Sequence, residues 1–274
     1  MPQSLVSVTD IAHSTVALYR THFLEFLRVL VWLIVPVSLE ALVPLFPIST
    51  SSRDILRYSL NGIAAIVSLF ISIVLIDMIV GYLRKMPNKK VLQSGWGVLG
   101  RMVDFVVVSV LQGLVVGVWF IPFLALPFIL VGFEDLAGAL QFSAIAILVG
   151  LVLAIPGFVF WIWFSFARYS VLIDAHPPGS GALTHSKSLA RGRFWSIAWR
   201  WIGSYLTIGI PIFLVTVIIL AALGALMGNP NLAFGSGRST LWWSALIVNL
   251  VSTLVTPLFV TIGVTLYEDA KRAR

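Results

Sequence analysis

Charged residues are almost absent from six stretches of the chain: 23–46, 59–83, 103–131, 138–167, 196–227 and 241–266. Runs such as Ile63–Ile76 show none of the period-two alternation of a barrel strand. Each stretch reaches the roughly 20 residues that a helix needs to cross a hydrocarbon core of about 30 Å. In lipid every backbone N–H and C=O must be paired within the protein, which a helix achieves from its own segment. The pattern predicts an all-α polytopic integral membrane protein with six transmembrane helices.

Between these stretches the pattern changes to that of short amphipathic helices. Over 182–194, Ala182, Leu183, Ser186, Leu189, Ala190 and Phe194 fall on one helical face. Thr184, His185, Lys187, Ser188 and Arg191 fall on the other. Such a helix lies in the interface with its basic face toward headgroups. Near the N-terminus, Ser7 precedes Asp10 by the spacing of a variant capping box, which predicts a helix start there. Thr15, Leu18, Arg20 and Phe23 recur as Ser186, Leu189, Arg191 and Phe194, offset by 171 residues. Leu99, Arg101 and Phe105 repeat the pattern with one extra residue. The chain therefore reads as a single six-span domain over 1–274, with cytoplasmic elbow helices introducing repeat units 7–85, 90–170 and 181–270. Two-span units keep their orientation on duplication, so the copies are expected about an axis along the membrane normal.

Composition excludes a soluble domain: hydrophobic residues are 59% and charged residues 11%, against about a quarter charged in globular proteins. Without cysteine there are no disulfides, thiolate metal sites or cysteine nucleophiles. The first 19 residues carry neither Lys nor Arg and no apolar core, so a cleavable signal peptide is not expected, and the first span serves as the targeting signal. Of the 18 Lys and Arg residues, 15 fall on one side of the six-span arrangement, and only Arg53, Arg57 and Arg238 fall on the other. The positive-inside rule then places both termini in the cytoplasm, in the inner membrane of a bacterium or archaeon. Trp96, Trp161, Trp163, Trp195 and Trp199 sit near the basic side, as interfacial aromatics do. The net charge of +7 is thus aimed at anionic headgroups rather than nucleic acid. Lys89, Lys90, Lys187, Arg191 and Arg193 are the candidate anionic-lipid contacts.

The segment ARYSVLIDAHPPGSGALTHSKSLARGRFW (167–195) resembles the multi-pass membrane domain attached to some glycerophosphodiester phosphodiesterases, which also occurs alone. The likeness extends to the N-terminal elbow and to Tyr267-Glu268-Asp269-Ala270-Lys271-Arg272. Asp174 followed by His176-Pro177-Pro178 departs from that family's usual Glu and shorter turn. In that family hydrolysis belongs to a separate soluble barrel, which is not present in this sequence, so the resemblance implies a membrane module and does not imply hydrolysis.

Within the spans, Arg28, Glu40 and Asp77 are the candidate intramembrane polar residues, because ionisable groups there are costly. Arg28 and Asp77 lie at similar depth and are expected to pair, with Glu25–Arg28 as the local competitor. Glu40, between Pro36 and Pro44, is expected either uncharged through burial or drawn outward to Arg53 or Arg57, with Asn249 at similar depth. Gly113 and Gly117 form a GxxxG, continued by Ala146, Gly150 and Ala154, and the favoured reading is close packing within the bundle, with dimerisation second. Pro122, Pro127, Pro156 and Pro211 are expected to kink their spans. His13, His22, His176 and His185 do not match helical metal-ligand spacing, and no metal or cofactor is expected. Asp174 and His176 could form an acid–base pair but have no recognisable nucleophile beside them.

The function expected is that of a non-enzymatic module contacting membrane lipids, or a partner membrane protein or second copy, at its cytoplasmic face. A transporter or permease-like subunit for a small solute or lipid is the first alternative, motivated by Glu40, Asp77 and the prolines. A lipid-headgroup enzyme at the cytoplasmic interface is the second.

Overall fold

The structure, a computed structural model, describes residues 5–85, 95–121, 136–174, 178–226 and 242–273. Among these residues there is no strand. The helices are α1 (Val8–Thr21), α2 (Phe23–Leu42), α3 (Thr50–Leu83), α4 (Gly95–Gly117), α5 (Leu136–Phe164), α6 (Ala167–Asp174), α7 (Ser180–Ala190), α8 (Phe194–Leu226) and α9 (Trp242–Arg272). Six segments are long and apolar enough to span: Phe23–Leu45, Thr50–Leu83, Gly100–Phe120, Leu148–Asp174, Phe194–Leu226 and Trp242–Arg272. The chain is a six-span helical membrane protein, as its hydrophobic pattern predicts. Large apolar side chains cover its outside, Trp32 at 75% and Ile218 at 64% exposure among them. Patches of this extent need lipid rather than water as their solvent.

Two helix boundaries differ from the sequence expectation, each for a local reason. The second span begins at Thr50 rather than 59, because Ser49 caps it by accepting a hydrogen bond from the Ser52 N–H at 3.2 Å. Its charged first turns hide the helix from a hydropathy reading. The last span runs on to Arg272, past the apolar stretch, with Lys271 and Arg272 against its carboxyl end.

The chain divides into two compact units, residues 1–98 with 199–273, and residues 99–198. In the first, α2 and α3 form a hairpin, α9 packs along both, and α1 lies on α9. Ile11, Phe26, Leu30, Ile73, Ile262 and Tyr267 are buried at its centre. The hairpin is tied at each end. Tyr82 of α3 donates to Glu25 of α2 at one end. At the other, Arg57 Nε and Asn61 Nδ2 of α3 donate to Glu40 Oε1 at 3.4 and 3.1 Å.

In the second unit, Val108 of α4, Ala167 and Val171 of α6 and Ala182 of α7 form a buried cluster. The fourth span is broken between α5 and α6, which frees backbone groups that lipid cannot satisfy. Ser186 of α7 fills the break: its hydroxyl donates to the Trp163 carbonyl at 2.6 Å and accepts from the Phe166 N–H at 3.1 Å. Close approach occurs at Gly157, where a Cβ would stand 3.0 Å from Trp119 and Phe120. Gly113 and Gly117 differ from expectation: among the described residues nothing lies within 4 Å of a Cβ built on either, so these two make no close packing contact.

The two elbow helices bury the same positions. Ile11, Thr15, Ala182 and Ser186 are all fully buried, and each pair is 171 residues apart. Their hydroxyls differ in use, since Thr15 Oγ1 has no partner among the described residues. A buried hydroxyl that makes bonds is costly to remove, and one that makes none is not. Ser186→Ala should therefore lower stability by about 1–3 kcal/mol. Thr15→Val should be neutral or stabilising. Thermal unfolding of both variants in one detergent checks the contrast.

Candidate functional site

Chemistry-bearing side chains of the first unit gather at its basic end, around α1. That helix is held at its start by the segment before it. Arg200 of α8 donates from Nε to the Val6 carbonyl at 2.6 Å and from Nη2 to the Leu5 carbonyl at 2.9 Å. The Val6 N–H donates to Asp269 Oδ2 of α9 at 2.9 Å. Ser7 then caps α1 as its spacing predicts, accepting from the Asp10 N–H at 3.1 Å and donating to the Asp10 carboxylate at 2.6 Å. Near its other end the Tyr19 hydroxyl donates to the Leu254 carbonyl at 2.9 Å. Burial pushes the Tyr19 phenol above its ordinary pKa, so it remains a donor.

Between α1, α8 and α9 runs a groove. Its upper part holds about 570 Å³ and its lower part about 330 Å³, and the two share Pro211 and Ile212. Thr9, His13 and Arg20, all from α1, supply the polar groups of the upper rim together with Thr207 of α8. The lower part is lined by α8 and α9, with Val215 and Leu254 on opposite walls. Pro211 has no N–H to offer the Thr207 carbonyl, so the helical ladder of α8 is interrupted at this level.

Beside α1 lies a cluster that the sequence reading did not assemble. His22 stacks on Tyr82, ring centroids 3.9 Å apart and 11° from parallel, and its Nδ1 lies 3.3 Å from Glu25 Oε1. The other Glu25 oxygen accepts from Tyr82. His22 and Glu25 at i, i+3 were a visible signal, but Tyr82 is 57 residues from Glu25, beyond any local pattern. Arg84 pairs with Glu268 of α9 just beyond.

Arg28 does not pair with Asp77. It is exposed and has no ion-pair partner within 4 Å among the described residues. Its local competitor Glu25 is engaged by His22 and Tyr82 instead. Asp77 is half-buried in α3. Glu40 takes the outward course: its side chain is 17% exposed, and it meets Arg57 and Asn61 rather than Asn249. Arg53 turns elsewhere, donating from Nη2 to the Phe46 carbonyl at 3.3 Å.

In the second unit, Lys187 is exposed, with its ammonium 4.4 Å from the centre of the Trp163 ring, close enough for a cation–π contact. Arg191 is the exposed C-cap residue of α7, and Arg193 follows half-buried. Lys89, Lys90 and His176 lie outside the described residues, and with His176 the Asp174–His176 pairing. His13 is exposed and His185 half-buried. Among the described residues no three His, Asp or Glu side chains are grouped to hold a metal.

These placements separate structural from dispensable polar groups. Arg57→Ala should change stability by less than about 1 kcal/mol, since the pair it breaks is largely solvated on the arginine side. Tyr82→Leu removes both the ring under His22 and the donor to Glu25, and should cost about 2 kcal/mol or more. Denaturant unfolding of the two variants side by side measures the difference. Comparison of the chain with family models, curated proteins and solved structures finds no match.

Proposed function

We propose that the protein is a non-enzymatic membrane module that gathers anionic lipids at its basic face, with that face in the cytoplasm. One observation carries this reading. The elbow helices α1 and α7 bury equivalent positions, Ile11 with Ala182 and Thr15 with Ser186, and leave the equivalent arginines, Arg20 and Arg191, exposed. A buried apolar face opposite exposed cations is what an interfacial helix needs to hold headgroups while remaining part of a bundle. Trp195 and Trp199, at 77% and 70% exposure, stand where interfacial rings anchor a span. A bacterial or archaeal inner membrane, rich in anionic lipid, suits this charge pattern.

The likeness to the membrane domain of glycerophosphodiester phosphodiesterases agrees with this reading and belongs to the same proposal. Such a module gives lipid or a partner protein a defined surface without altering a bond. Transport through Glu40 gains no support, because that carboxylate is occupied by Arg57 and Asn61 and lines neither part of the groove.

Electrostatic attraction of this kind weakens as the Debye length falls from about 30 Å at 0.01 M salt to about 3 Å at 1 M. In liposomes of mixed phosphatidylglycerol and phosphatidylcholine, spin-labelled phosphatidylglycerol should be immobilised preferentially at low salt and lose that preference at high salt. The Lys187→Gln/Arg191→Gln/Arg193→Gln variant should show a reduced preference at low salt. Equal immobilisation of the two lipids at low salt by the unaltered protein would remove the reading.

A further inference from the structure

We propose that the groove between α1, α8 and α9 is a binding site for one anionic phospholipid, its phosphate at Arg20 and His13 and one acyl chain along the α8–α9 seam. This deepens the functional reading above and rests on it: the general reading concerns a charged face, and this site is a single defined place on the first unit.

The groove carries positive charge only. No carboxylate lines either part of the groove. Arg20 and His13 are exposed, and neither has an acidic partner within 4 Å among the described residues. Both lie on the α1 stripe that includes Thr9, so a cation, an imidazole and a hydroxyl follow one another along one wall. A phosphate diester at this level would meet charge-assisted donors on an interfacial helix.

The length of the groove matches an acyl chain. From Thr207 to Thr216 the groove follows α8 for about 13 Å, at 1.5 Å per residue. Half of a hydrocarbon core of about 30 Å is about 15 Å. The seam is therefore about as long as one leaflet is deep, and its lower part carries no charged residue. An acyl chain with its headgroup at the basic interface has that form.

The packing of α8 is sparse along the groove. Only 11% of the most apolar stretch of the fifth span is buried, the lowest value among the six. Near its basic end α8 touches its neighbours closely: a Cβ on Gly203 would come within 3.1 Å of Val8, and Tyr205 stacks on Phe259 at 4.8 Å. From Thr207 on, the groove opens on one face of α8, while Gly209 still approaches Phe259 on another. The groove is open and its lining apolar, so in a bilayer its atoms need dispersion partners from outside the protein. A lipid chain supplies those partners.

Native mass spectrometry of the full chain, released from vesicles of equal phosphatidylglycerol and phosphatidylcholine, tests the site. The expected spectrum shows one retained phosphatidylglycerol per chain, at least tenfold above phosphatidylcholine. Retention should be lost in His13→Gln/Arg20→Gln, which changes only exposed side chains. It should also be lost in Val215→Trp, which fills the seam and leaves the charges intact. The melting temperature of Val215→Trp should stay at or above that of the unaltered chain, showing that a filled groove and not an unfolded protein excludes the lipid. Lys187→Gln/Arg191→Gln/Arg193→Gln should retain the lipid while losing part of its general preference for anionic headgroups. Retention that survives both groove variants, or equal retention of phosphatidylcholine, would overturn the site even where the salt-dependent preference persists. Loss of that preference in the unaltered protein would remove the underlying reading instead.

Discussion

The arrangement of the first unit depends on how one exposed stretch of backbone is held. Leu5 and Val6 precede the capping residue and lie outside the helical ladder, so their peptide groups must find donors and acceptors elsewhere. Arg200 supplies two donors and Asp269 one acceptor, and the cation and the anion come from different spans. The peptide of Val6 thus joins α8 to α9 at the membrane surface and sets where α1 begins. Together with the Tyr19–Leu254 hydrogen bond at the other end of α1, that joint lays the helix along α9 beside the seam. The wall that carries His13 and Arg20 stands where it does because a dipeptide is held between two charges.

The same principle governs the polar groups deeper in the protein. Each is dealt with locally, and in a different way. Glu40 is drawn to Arg57 and Asn61, which makes it part of a hairpin rather than part of a pathway. Glu25 is held by a phenol and an imidazole that stack on one another. Ser186 reaches from a neighbouring helix to satisfy a break in the fourth span, so the irregular segment keeps its backbone groups paired. A membrane protein with few charges can place them freely only where water or headgroups reach, and Arg28 and Arg20 occupy such places.

Six spans, their order and the elbow helices before the first and fifth spans were legible in the sequence, because hydrocarbon thickness and helical periodicity write themselves into residue spacing; Leu99, Arg101 and Phe105, read as a further elbow, lie within α4 itself. The cap at Ser7 was legible for the same reason, being a matter of three positions. Pairings between distant residues were not. Arg28 and Asp77 share a depth, yet depth says nothing about which side of a helix faces which neighbour. Glu25 found Tyr82 because α2 and α3 cross with those faces together, a rotational detail that hydropathy does not record. Gly113 and Gly117 carry the spacing of a packing motif but meet no described neighbour, while the unremarkable Gly157 and Gly203 make the close approaches. The groove was invisible for a further reason: it is a place where side chains fail to meet, and only a three-dimensional arrangement can show that.

The first unit draws on both halves of the chain, and this bears on how the protein is made. Its defining bonds join residues far apart in sequence: 184 residues for Arg84–Glu268, 195 for Arg200–Leu5 and 263 for Val6–Asp269. Spans leave the insertion machinery in order, so none of these bonds to α9 exists until the sixth has emerged. Through most of synthesis the α2–α3 hairpin waits in the bilayer, held by its own contacts, with Glu25–Tyr82 at one end and Glu40–Arg57 at the other. Those two ties, ordinary in the finished protein, fix the register of a hairpin whose packed apolar faces hold its two spans together during biogenesis.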